Sequence, residues 1–102
     1  MKNVDVVKLF VAGVEKGKTT NVRIEGSHEE ARLMNYNTCL AQRVVKDAKV
    51  TYIVNNTKYS RSTSAIQKMI ENQIPFSMIE DIVIDVPMNT RSLKWLLVSS
   101  NK

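Results

Sequence analysis

The residues best equipped for chemistry fall in one run, Asn55-Asn56-Thr57-Lys58-Tyr59-Ser60-Arg61-Ser62-Thr63-Ser64-Ala65-Ile66-Gln67. Hydroxyls, amides and cations sit side by side there. A helix starting in this run would present unpaired backbone N–H groups and a partial positive charge, an arrangement that favours phosphate. Ser60, Ser62, Thr63 and Ser64 add hydroxyl donors. Lys58 and Arg61 add charge, and Tyr59 offers a face on which a base can stack. Gln42 and Arg43, on a neighbouring strand, could converge on the same place. Ser64-Ala65-Ile66-Gln67 also fits a capping box, with Ser64 as N-cap and Gln67 reaching back to it. On that view Ser64 and Gln67 serve the helix and Tyr59 serves the core, whereas capping has no use for Lys58 or Arg61.

The other reactive side chains do not assemble a catalytic constellation. His28 is the single histidine and Cys39 the single cysteine. His28 has no companion at metal-ligand spacing, and an acyl-transfer nucleophile needs a base within hydrogen-bond reach. Glu80, Asp81 and Asp85 cluster, but on a strand Asp81 and Asp85 share a face while Glu80 points away. Lys16-Gly17-Lys18-Thr19-Thr20 looks like the end of a phosphate-binding loop, yet it lacks the upstream glycine and follows a helix instead of preceding one. The expectation is a protein that is not an enzyme and takes no metal or cofactor.

The 102 residues make one domain, 1–102, with 43% hydrophobic and 25% charged residues, ordinary values for a folded chain. The formal charge is +5 and the pI about 9.5, which favours anionic partners. Residues 43–68 hold six cations (Arg43, Lys46, Lys49, Lys58, Arg61, Lys68) against Asp47 alone, an excess equal to that of the whole chain. One cysteine excludes an intrachain disulfide and fits a reducing compartment. Lys2, Asp5 and Lys8 interrupt any signal-peptide core. No apolar run approaches the roughly 20 residues of a membrane span. A soluble, cytoplasmic protein is expected.

These residues need elements to position them. Val7, Phe10, Val11 and Val14 form one stripe and predict a helix over 4–16, with Asn3 as N-cap and Gly17 as its stop. Strands are expected over 19–25, 38–46, 50–55 and 78–86, with residues 31–34 either a helical turn or a strand edge. Val50, Tyr52 and Val54 share one face of their strand, Thr51 and Ile53 the other. Ile66, Met69 and Ile70 continue the helix that opens at Ser64, and Pro75 ends it. Pro87-Met88-Asn89 is a break. The tail over 90–98 fits either a helix, through Leu93, Leu96 and Leu97, or a strand, through Leu93, Trp95 and Leu97, the strand pairing with 78–86 being preferred. The order is α-β-β-β-α-β, which implies an α+β fold: an antiparallel sheet of three to five strands with two helices packed on one face.

Asn35-Tyr36-Asn37-Thr38, Leu40-Ala41-Gln42-Arg43, Val54-Asn55-Asn56-Thr57-Lys58-Tyr59-Ser60 and Ser62-Thr63-Ser64 with Gln67, together with Asn21-Val22-Arg23-Ile24-Glu25, resemble a family of small uncharacterised proteins encoded by phages and prophages of Gram-positive bacteria. The resemblance covers roughly residues 8–70 and departs at Gly26 to Arg32, where the connection is longer. It implies an origin and no mechanism. The element order is also similar to that of double-stranded-RNA-binding domains, without their lysine- and alanine-rich helix start. The leading expectation is a small phage accessory protein that binds a host protein or nucleic acid target and counters host immunity, as anti-CRISPR proteins do. The binding set would be Gln42, Arg43, Lys58, Tyr59, Ser60, Arg61 and Thr63. Two alternatives stand beside it: a homo-oligomeric sponge for a nucleotide signal, and a DNA- or RNA-binding protein of phage replication or transcription.

Overall fold

The computed structural model describes residues 2–14, 16–27 and 29–93. The order is α1 (Asn3–Val11), β1 (Val22–Glu25), β2 (Arg32–Asn35), β3 (Thr38–Lys46), β4 (Lys49–Asn55), α2 (Arg61–Gln73), a 3-10 turn (Phe76–Met78) and β5 (Ile79–Val83). The fold is α+β. Residues 31–34 belong mainly to a strand, so four strands separate the helices where three were expected.

α1 forms because Val6, Val7 and Phe10 make one buried stripe. Its start is fixed by the Lys2 N–H, which donates to Asp5 Oδ2 at 2.9 Å. It stops at Val11 because Gly13 takes a left-handed conformation with φ 92°. The expected cap and stop, Asn3 and Gly17, do other work. Asn3 Oδ1 accepts from Thr19 Oγ1 at 2.6 Å, and Gly17 leaves room for Leu9 and Ile24.

β1 to β4 form an antiparallel meander, and the sheet order is β1-β2-β3-β4-β5. Tyr36-Asn37 and Asp47-Ala48 make the two tight turns, with positive φ at Tyr36, Asp47 and Ala48. β5 departs from the purely antiparallel expectation because it pairs parallel to β4. The cause is α2. A strand reached by a helical crossover returns in the direction of the strand that preceded it. The pairing of Leu33 with Ala41 and Met34 with Cys39 passes over Leu40. The bulge puts Leu40 and Ala41 on the same side of β3, and Thr38 to Arg43 are all buried because both faces of the sheet are covered.

The sheet has a core on each face. On one, Val6, Val7 and Phe10 of α1 and Ile66 and Ile70 of α2 pack on Val22, Ile24, Leu33, Leu40, Tyr52 and Val54. On the other, Met34, Cys39 and Ile53 pack under Val86 and Leu93. Each fully buried aliphatic or aromatic side chain contributes about 1.5–3 kcal/mol. Both helices therefore lie on one face, as expected, while residues 84–93 strap the other.

The pairing expected between 90–98 and 78–86 is not made by residues 90–93. Thr90 instead accepts from Cys39 N at 2.7 Å across the rear face. Residues 94–98 lie outside the described residues, as does His28. Among the described residues, no helix is long and apolar enough to cross a membrane.

Candidate functional site

β4 ends at Asn55, whose side chain is completely buried. Asn55 Oδ1 accepts from Thr57 N at 3.0 Å and turns the chain. Its Nδ2 donates to Cys39 O and to Tyr59 Oη, each at 3.0 Å. The Tyr59 hydroxyl donates in turn to Val86 O at 2.6 Å. Gln67 Nε2 donates to Asn55 O at 2.9 Å and Thr57 O at 2.8 Å. This network holds residues 55–59 against α2 and the rear strap.

The helix begins earlier than the capping box implied. Ser60 is the N-cap, and its Oγ accepts from Thr63 N at 3.3 Å. Ser64 sits a turn inside the helix and is exposed. Gln67 does not reach back to it. Its two amide hydrogens go instead to the Asn55 and Thr57 carbonyls, and leaving a buried carbonyl unsatisfied costs about 1–3 kcal/mol.

The start of α2 opens onto a cavity of about 610 Å³ lined by Lys58, Tyr59, Ser60, Arg61, Ser64, Ala65 and Lys68. Lys58, Arg61 and Lys68 are exposed. Among the described residues, no acidic residue lines the cavity and none lies in the first turn of α2. Arg61, Ser64, Ala65 and Lys68 stand at i, i+3, i+4 and i+7 and so share one helix face. That spacing was the signal for Lys68, which the sequence-based set omits.

The structure divides that set. Lys58, Tyr59, Ser60 and Arg61 meet in the groove. Thr63 is buried and donates to Asn35 Oδ1 at 3.0 Å, so it anchors the helix to β2. Arg43 is 1% exposed. Its Nη2 donates to Phe10 O in the last turn of α1. Its guanidinium lies 5.3 Å from the Phe10 ring centroid and 5.9 Å from that of Tyr52. Tyr52 Oη donates to Val11 O at 3.3 Å. Arg43 and Tyr52 thus satisfy carbonyls at the negative end of α1. Gln42 faces the other side, because successive strand residues alternate. Its Oε1 accepts from Leu93 N at 2.7 Å and Ser92 Oγ at 3.1 Å. Neither residue lines the groove.

A second cavity of about 200 Å³ adjoins the first, sharing Tyr59 and Ser60 with it and adding Asn35, Tyr36, Ser62 and Thr63. Tyr36 is 61% exposed at φ 55°, and its hydroxyl donates to Asn21 Oδ1 at 3.2 Å. Its carbonyl accepts from Arg23 Nη1 at 2.5 Å. Arg23 leads to a cluster no segment charge revealed: Glu25 lies 2.5 Å from Arg23, 3.5 Å from Arg91 and 3.8 Å from Arg32. The hydrogen bond from Arg23 holds the Glu25 carboxyl below its ordinary value. The charges of Arg23, Arg91 and Arg32 act in the same sense, and partial burial opposes them.

Burial pushes the Cys39 thiol up to about 12, so it stays protonated and packs as a core side chain. Glu80 is exposed and Asp81 Oδ1 accepts from Ile82 N at 2.9 Å. Among the described residues, no group of three or more His, Cys, Asp or Glu could hold a metal ion. No family model, curated protein or solved structure matches the chain.

Proposed function

We propose that the protein is a non-catalytic binding module that docks the groove at the start of α2 on a phosphate-bearing or acidic partner. One observation carries this reading. Lys58, Arg61 and Lys68 surround a cavity that no carboxylate lines among the described residues, at a helix start whose first turn also lacks one. The three charges and the helix N-terminus then act in the same sense on an anion. The resemblance to phage and prophage proteins supports a phage accessory role, in which the partner is a host protein or nucleic acid and the outcome is interference with host defence.

The test compares the wild type with a Lys58→Glu, Arg61→Glu double variant, by anisotropy on a labelled mixed-sequence oligonucleotide at two salt concentrations. Binding that weakens with salt and is lost in the double variant is expected, because each neutralised phosphate steepens the salt dependence by about 0.7–0.9 in log–log slope. Unchanged binding in the double variant would overturn the reading. Sequestration of a nucleotide is the second reading, favoured by the groove volume of about 610 Å³, which falls within the roughly 300–1,000 Å³ of small-molecule sites. A thermal-shift panel of nucleotides tests it. A bound nucleotide raises the melting temperature with concentration, and a flat response across the panel discards it.

A further inference from the structure

The groove and the arginine cluster are not separate surfaces. Tyr59 and Ser60 line both cavities. Tyr36 lines the second, and its carbonyl is held by Arg23. Arg23, Arg32 and Arg91 share the carboxylate of Glu25. A path therefore runs from Lys68, Arg61 and Lys58, past Ser60 and Tyr36, to three guanidiniums. It is cationic at both ends, and the hydroxyls and aromatic ring lie in the middle.

The arginine end has donors to spare. Three guanidiniums carry about fifteen N–H groups between them, and Glu25 offers two oxygens. Arg91 is 63% exposed. Arg32 Nε is buried without an acceptor. Tyr36 is the feature least explained by folding. It occupies a left-handed turn position that suits Gly or Asn better, and it holds its ring in solvent. The hydroxyl bond to Asn21 fixes the orientation of that ring.

We propose that single-stranded nucleic acid binds along this path, its phosphates engaged by Lys58, Arg61 and Lys68 at one end and by Arg23, Arg32 and Arg91 at the other, with a base stacked on Tyr36 between them. This rests on the α2 groove being an anion-binding surface, and it names the partner class. A duplex keeps its bases stacked on one another and cannot offer a free face to an exposed aromatic, whereas a single strand can. An exposed tyrosine also suits a protein interface, and competition by polyglutamate separates that partner from nucleic acid.

The experiment is fluorescence anisotropy of the full chain with oligo-dT of about 15 nucleotides, within the range of typical single-strand sites, and with a duplex of the same length. Tyr36→Asn is the main variant, since asparagine accepts the left-handed backbone and keeps the fold. It is expected to lose affinity roughly 5- to 100-fold, the effect of removing one stacked base, while Tyr36→Phe retains binding. Arg91→Glu should reduce the salt slope by about 0.7 or more, and Glu25→Gln should tighten binding. Equal affinity for duplex and single strand would overturn the proposal. So would wild-type binding by Tyr36→Asn and Arg91→Glu. If those two variants bind normally while Lys58→Glu with Arg61→Glu does not, the groove stands and the path fails. If polyglutamate competes as well as the oligonucleotide, an acidic protein partner replaces nucleic acid.

Discussion

Replacing Arg43 separates a core role from a binding role. Arg43→Met keeps the aliphatic stem and its packing on Phe10 and Tyr52 but removes the guanidinium. Phe10 O then loses its charged donor and keeps the Gly13 N–H at 3.2 Å; a hydrogen bond to a charged group contributes about 1.5–3 kcal/mol. The contacts with the two rings are worth about 1–2 kcal/mol when desolvated. Against these stands the relief of no longer burying a charge, which can offset much of a buried ion's contribution. A net loss of about 2–3 kcal/mol follows. In a domain of this size each kcal/mol moves the melting temperature by about 4–8 °C, so a drop of roughly 10–20 °C is expected by circular dichroism. Arg43→Lys should fall between the two, since it restores the charge without the planar fork. Oligonucleotide affinity, measured well below the lowered transition, should match the wild type. An unchanged melting temperature combined with lost binding would refute the core assignment and return Arg43 to the surface set.

Tyr59→Phe removes the donor to Val86 O and the acceptor for Asn55 Nδ2. It should lower stability by about 1–3 kcal/mol in urea titration and leave binding intact because the ring stays. Ala48→Gly should raise stability by about 0.5–1 kcal/mol, measured the same way, because alanine sits at φ 64° in the β3–β4 turn. Cys39 should resist a thiol reagent such as Ellman's until the protein unfolds. Its raised value also makes stability fall between pH 9 and about 12, since the unfolded thiol ionises there and the folded one cannot. The wild type should show this loss more steeply than Cys39→Ala in denaturant titrations across that range.

Much of the fold was legible because it rests on patterns of one dimension. The alternation in Val50 to Val54 named the two faces of β4 correctly: Tyr52 and Val54 lie under the helices and Ile53 under the strap. The apolar stripe of α2 and its end before Pro75 were equally plain. What the pattern could not carry was competition between partners far apart in sequence. Gln67 looked like part of a cap because its offset from Ser64 matched one, yet the carbonyls of Asn55 and Thr57 claim it. Arg43 looked like a surface cation because six cations crowd residues 43–68. Only the arrival of the α1 C-terminus over β3 makes it a core residue. The same bookkeeping hid the arginine cluster, since Arg23 and Arg32 sit in a segment of nearly balanced charge and Arg91 is 66 residues from Glu25. The direction of β5 depended on whether α2 crosses over the sheet, which local periodicity does not encode.

The rear strap bears on the order in which the chain can become a protein during synthesis. Met34, Cys39 and Ile53 wait for Val86 and Leu93 to cover them, and Gln42 waits for the Leu93 N–H. The β1 to β4 meander closes through near neighbours and needs nothing from that far along. A nascent chain released at about 5–20 residues per second therefore carries a half-clad sheet, helices seated on one side and an apolar strip bare on the other. That strip stays bare until Val86 and Leu93 clear the ribosome exit. Truncation before Leu93 would arrest the molecule in that form, where association with other nascent chains competes with completion.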